Sequence, residues 1–124
     1  MPRIALLVLV ILAAFAAGVV GATDEDATAL GQELYIERCV LCHGSKGHGW
    51  EWPRKVVKPP IPAPNLVETV PEVDDEYLKD VILDGGEAVG LTRFMPAFRF
   101  RMSEQEAEAV IKYLRAITGD RRRE

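Results

Sequence analysis

Cysteine is scarce: the 124 residues contain two, with two histidines and three methionines. Two cysteines build no disulfide framework. The pair that exists, Cys39 and Cys42, would close so short a loop that a bond between them stabilises little. A structural zinc centre needs four Cys or His ligands. The chain has only Cys39, Cys42, His43 and His48, and the last lies in a glycine-rich loop from which it would have to fold straight back. Strand signals are missing, as are internal repeats and any low-complexity stretch beyond Arg121-Arg122-Arg123. Without a βαβ pattern, a thioredoxin-like reading of C-x-x-C fails. Basic charge is also in deficit. The formal net charge is −4 and no binding motif is present, which argues against a nucleic-acid partner.

Charge is absent altogether from Ile4 to Ala22, a run that follows Met1-Pro2-Arg3 and precedes the acidic Thr23-Asp24-Glu25-Asp26. A positively flanked apolar segment at the N-terminus reads as an export signal, with the small residues Val20-Gly21-Ala22 where a signal peptidase cuts. As a helix, residues 4–22 would be about 28 Å long, close to the hydrocarbon thickness of a bilayer, so the alternative is an uncleaved anchor. Under both readings residues 23–124 form one domain, in the periplasm or on the extracytoplasmic face of the membrane. A domain of that size has a modest core and needs help from a cofactor, metal or disulfide.

Within the domain the pattern is all-α. Residues 24–42 read as a helix with Ala27, Leu30, Gly31, Leu34 and Tyr35 on one face and acids at its favourable end. Residues 44–72 read as irregular, because six of the eight prolines fall there (53, 59, 60, 62, 64 and 71). A second helix starts at Asp74 or Asp75, carries Tyr77, Leu78, Val81 and Ile82, and stops at Gly85-Gly86. A loop from 85 to 102 follows. Ser103-Glu104-Gln105-Glu106 is a capping box that opens the last helix, where Ala107, Val110, Ile111, Leu114 and Ile117 share a face and Gly119 ends it. Loops this long predict that something other than protein fills the space between the helices.

Cys39-Val40-Leu41-Cys42-His43 is C-x-x-C-H, the c-type haem attachment pattern. Residues i and i+3 share one side of a helical turn, so both thiols reach the two vinyl groups of one porphyrin, and His43 falls beneath the iron as proximal ligand. A sixth ligand is expected for an electron carrier. Met95 is the leading candidate, in the loop Arg93-Phe94-Met95-Pro96-Ala97-Phe98; Met102 and His48 are the alternatives.

The sequence resembles the class I monohaem cytochromes c. The likeness rests on Gly31 and Tyr35, Cys39-Val40-Leu41-Cys42-His43-Gly44, Pro64-Asn65-Leu66, Met95-Pro96-Ala97-Phe98, and Tyr113-Leu114, in that order. The resemblance implies a small cytochrome c fold of three to four helices around one covalent haem c. Its first and last helices cross, so that Gly31 and Tyr35 meet Val110, Tyr113 and Leu114. It further implies that the Pro64 carbonyl accepts a bond from the second nitrogen of His43, fixing the imidazole, and that Leu66 packs on the haem face. The long insert between His43 and Pro64 departs from the family pattern. There Trp50, Trp52 and Arg54 are candidates to bond a haem propionate or to cover the porphyrin edge.

His43/Met95 ligation stabilises ferrous iron and leaves no open coordination site. The expectation is therefore an electron carrier rather than an enzyme, serving a respiratory chain between a protein donor and a protein acceptor. The alternatives are a haem sensor or peroxidase-like protein, if Met95 is labile, and a fixed cytochrome subunit of a larger oxidoreductase. Arg93, Arg99 and Arg101 around the Met95 loop, and Arg54, Lys55 and Lys58 in the insert, are candidates for steering an acidic partner.

Overall fold

The computed structural model describes residues 21, 23–49 and 61–119. The apolar segment 4–22 apart from Gly21, the insert residues Trp50, Trp52, Arg54, Lys55 and Lys58, and the Arg121-Arg122-Arg123 tail lie outside the described residues. Among the described residues every regular element is helical, and no helix is long and apolar enough to cross a membrane.

Helix α1 (Asp24–Arg38) opens on a capping box. The Thr23 hydroxyl accepts from the Asp26 amide at 3.2 Å, and the Asp26 carboxylate accepts from the Thr23 amide at 2.9 Å. Gly31, Leu34 and Tyr35 are buried as expected, but Leu30 is exposed. The expected single helix over 24–42 divides at Cys39, whose φ of −115° departs from helical values; a one-turn helix α2 (Val40–His43) follows.

The irregular stretch contains more order than its prolines suggest. Asn65 caps a one-turn helix α3 (Leu66–Thr69) by accepting from the Val67 amide at 3.1 Å, and a 3-10 turn (Val70–Glu72) continues it. Helix α4 (Asp75–Asp84) is capped by Asp74 and buries Leu78, Ile82 and Leu83. The loop after it holds a 3-10 turn (Glu87–Val89). Helix α5 (Glu104–Thr118) starts at the Ser103/Glu106 capping box and buries Ala107, Ala109, Val110, Ile111, Tyr113 and Leu114.

Helices α1 and α5 pack against each other more extensively than any other pair among the described residues. A Cβ added at Gly31 would collide with the Ala109 carbonyl oxygen and stand 3.0 Å from Tyr113 Cβ. The two backbones therefore touch, at Ala109 rather than at Val110. One turn on, the Tyr35 and Tyr113 rings meet at 5.3 Å with a 53° tilt. Arg115 then binds α5 to the chain before α4. Its guanidinium donates to the carbonyls of Val70 and Val73 and to the Asp75 carboxylate. These contacts add to the 3-10 bond already made at the Val70 carbonyl and give the Val73 carbonyl a donor.

Gly31→Ala should separate the crossing helices, because backbone atoms cannot rotate away as a side chain can. The expected cost is about 3 kcal/mol or more, the upper range for overpacking. Urea denaturation of the holoprotein checks it; an unchanged midpoint would contradict the backbone contact.

Candidate functional site

The break between α1 and α2 places the motif. Cys39 donates its amide to Tyr35 O at 2.8 Å and accepts at its own carbonyl from the amides of Cys42 (3.1 Å) and His43 (2.9 Å). One tight turn thus carries both thiols and the imidazole. Gly44 ends it at a φ of 76°, which favours glycine. Its carbonyl accepts from the buried Tyr35 hydroxyl at 2.7 Å, tying the turn to the helix crossing. The next loop folds onto the Pro64 segment: Gly49 N–H donates to His43 O at 2.9 Å, and Leu66 N–H donates to Gly47 O at 2.7 Å.

This turn opens on a cavity of about 350 Å³ whose walls include Leu66, Val70, Leu78, Ile82, Val110 and Leu114. A smaller cavity of about 110 Å³ adjoins it, bounded by Cys42, Ile61, Pro62, Phe94 and Phe98. Cys39, His43, Pro64, Thr92 and Met95 line both. Cys39, His43, Pro64, Leu66 and Met95 are therefore brought to the larger cavity, and Cys42 to the smaller. Met102 belongs to the core at 4% exposure and lines neither, while His48 is exposed and lines neither.

Burial sets the protonation of these groups. It pushes the Cys39 thiol up to about 11, against a smaller opposing effect of Arg38. It pushes the His43 imidazole below its ordinary value, so the ring is neutral at neutral pH and keeps a lone pair for coordination. Cys42 is exposed. The expected bond from Pro64 is not made. His43 Nδ1 is buried with no hydrogen-bond partner among the described residues, and the Pro64 carbonyl instead lies near Gly49, 3.7 Å from where a Cβ there would stand.

Among the described residues no group of three or more His, Cys, Asp or Glu could hold a metal ion. A neutral imidazole and a soft thioether lining one apolar cavity supply two donors of the kind a transition metal favours, and a metal held there would take its other ligands from the group that carries it. Two thiols on one turn, an imidazole and a thioether lining one cavity, and apolar walls fit a flat metallomacrocycle held covalently at its edge.

Sequence reading singled out most of this set but missed Thr92, and it assigned Tyr77 and Val81 to an ordinary apolar helix face. Both are only partly buried and line the larger cavity, beside Leu78 and Ile82, which also belong to the core. The usable signal was an apolar face on α4 too wide for its few packing partners.

A family model described as cytochrome C oxidase, cbb3-type, subunit III matches residues 26–114. No match is found among the curated proteins.

Met102→Ala should leave the cavity lining intact and act on stability alone, at about 2–5 kcal/mol for a buried methionine. Thermal unfolding of the holoprotein, followed beside its visible absorption, tests this. A changed absorption spectrum at unchanged stability would reverse the roles of the two methionines.

Proposed function

This chain belongs to the cytochrome c oxidase, cbb3-type, subunit III family, a c-type cytochrome domain with one covalently bound haem c that serves electron transfer, and from that premise we propose His43/Met95 ligation and a partner in an oxidase complex. The observation that carries the ligand assignment is that His43 and Met95 line the same two cavities, while Met102 and His48 line neither. Cys39 and Cys42 would form the thioether links.

The bound haem supplies a one-electron change at iron between its ferrous and ferric forms. The chain does the rest. The burial of His43 keeps the imidazole neutral and able to donate its lone pair. Met95 offers a thioether, which favours the ferrous state and raises the potential. Leu66, Val70, Leu78, Ile82, Val110 and Leu114 exclude water and lower the local dielectric, which disfavours added charge on the metal. Held by His43 and Met95, the haem iron would have no position open to a substrate, and the chain would work as a carrier rather than as an enzyme. A work site outside the cytoplasm agrees with the apolar segment 4–22, read as a signal or an anchor.

Docking is assigned to the rim of the smaller cavity. Phe94 is about half exposed there, as is Leu91 on the neighbouring wall of the larger cavity, and Arg93 stacks on the Phe94 ring at 5.7 Å. Arg99 contributes less than its sequence position suggests. Its guanidinium grips Asp84 with two bonds, at 2.6 and 2.7 Å, so its charge is largely neutralised locally. Arg93 and Arg101 are the exposed cations that remain of the three, on a domain with net negative charge.

Met95→Ala should retain covalent haem, abolish the far-red methionine–iron charge-transfer band and admit carbon monoxide. It should also lower the potential by on the order of 100 mV, within the roughly 0.8 V that axial ligands span. Redox titration with absorption spectra decides it, and an unchanged band refutes the ligand assignment.

Arg93→Glu with Arg101→Glu should slow reduction by an acidic partner about tenfold at low salt and invert the salt dependence, as expected for steering. Stopped-flow rates across ionic strengths measure this. Equal rates for the variant and the parent would move docking off this rim.

A further inference from the structure

The Met95 loop is fastened to the end of α4 at both of its ends. On one side Gly86 N–H donates to Met95 O at 3.0 Å, Leu91 N–H donates to Gly86 O at 2.7 Å, and Met95 N–H donates to Thr92 O at 3.3 Å. On the other, Phe98 N–H donates to Ile82 O at 3.1 Å and Arg99 N–H to Leu83 O at 3.0 Å. The carbonyls that the last turn of α4 leaves without helical partners are thus taken by the loop that carries Met95. The Arg99 side chain then returns to Asp84, the final residue of α4, with two bonds at 2.6 and 2.7 Å. The guanidinium holds the Asp84 carboxyl below the usual carboxylate range.

The two glycines after α4 make this closure sterically possible. A Cβ at Gly85 would stand 2.9 Å from Ala97 N and 3.1 Å from Met95 O. One at Gly86 would collide with Thr92 O and stand 3.1 Å from Met95 Cβ. Gly86 has a φ of −63°, which any residue adopts, so its need for glycine is purely one of space.

We propose that Asp84, Gly85, Gly86 and Arg99 form a clamp that positions Met95, setting how firmly the thioether is presented to the cavity and hence how readily it is displaced. None of the four touches the proposed metal position; they are positioning residues and act through Met95. The proposal rests on the assignment of Met95 as axial ligand. A bidentate pair at the loop's end and a glycine at its start hold one short segment in register, and a misplacement of about 1 Å at a ligand is enough to weaken its bond strongly.

The test uses the holoprotein with Met95 intact. Asp84→Asn and Gly86→Ala are compared with Gly90→Ala. That glycine lies in the same loop at a φ of 79° but has nothing within 4 Å of an added Cβ. Gly90→Ala adds backbone strain without touching Met95, and so reports general destabilisation. Asp84→Asn and Gly86→Ala should weaken the far-red methionine–iron band. They should also raise the carbon monoxide binding rate of the reduced protein, by about threefold in Asp84→Asn, the scale of one exposed ion pair. Gly90→Ala should lower the thermal midpoint while band and rate stay at parental values. Asp84→Asn, an exposed and near-isosteric change, keeps the test decisive if Gly86→Ala fails to fold. Parental band and rate in Asp84→Asn overturn the clamp, as does an equal effect in Gly90→Ala. If Met95→Ala itself leaves the band unchanged, the ligand assignment has failed instead, and the two failures are told apart.

Discussion

Everything in the domain hangs on the direct backbone contact between α1 and α5 at Gly31 and Ala109. Absence of a side chain at one position lets two helices approach until their main chains touch, and the Tyr35 and Tyr113 rings meet beside that point. Helix α1 then delivers Cys39 and the turn to His43, while α5 presents Val110 and Leu114 as cavity wall. Tyr35 serves both tasks at once: its ring belongs to the helix contact and its hydroxyl bonds the Gly44 carbonyl at the end of the motif turn. A shift at the crossing would therefore be transmitted to the thiols and the imidazole.

The rest of the cavity is held by capping as well as by the packed core that forms its walls. Asn65 organises α3, Arg115 gathers the carbonyls of Val70 and Val73, and the Met95 loop takes up the last carbonyls of α4. Each device binds backbone groups beside a surface lined with apolar side chains. Such a wall is organised but not filled. The polypeptide leaves room, and a stated donor set, for a group that is not protein.

What the chain revealed in advance depended on how local its cause was. Capping at Ser103, the stop at Gly85-Gly86 and the apolar face of α5 are set within a few residues, and they were legible. The C-x-x-C-H motif needs one turn, and its three side chains were legible too. Leu30, by contrast, repeats with the helical period yet faces solvent, because burial depends on where α5 lies and not on period. Helix α3 hid among prolines, since one asparagine cap outweighs a poor regional composition over a single turn. Arg99 read as a steering charge until Asp84, fifteen residues earlier, was seen to hold it. The Pro64 expectation came from family likeness, and it depended on a carbonyl direction that composition does not encode.

The pairing of first and last helices also has a kinetic side. Because α1 and α5 lie at opposite ends of the domain, the largest helix contact can form only after most of the chain has been closed into one loop. Closing such a loop costs entropy that grows slowly with its length, and contacts of this kind slow folding. Among the described residues the segment between them holds one helix longer than a few residues, α4, and so offers few local nuclei. With the cofactor joined through Cys39 and Cys42 as proposed, the chain would have a large apolar face near the start of that loop, onto which the middle segment could collapse early. Attachment would then act as a folding nucleus, and the unloaded chain would spend longer open to proteases and to association with its own kind.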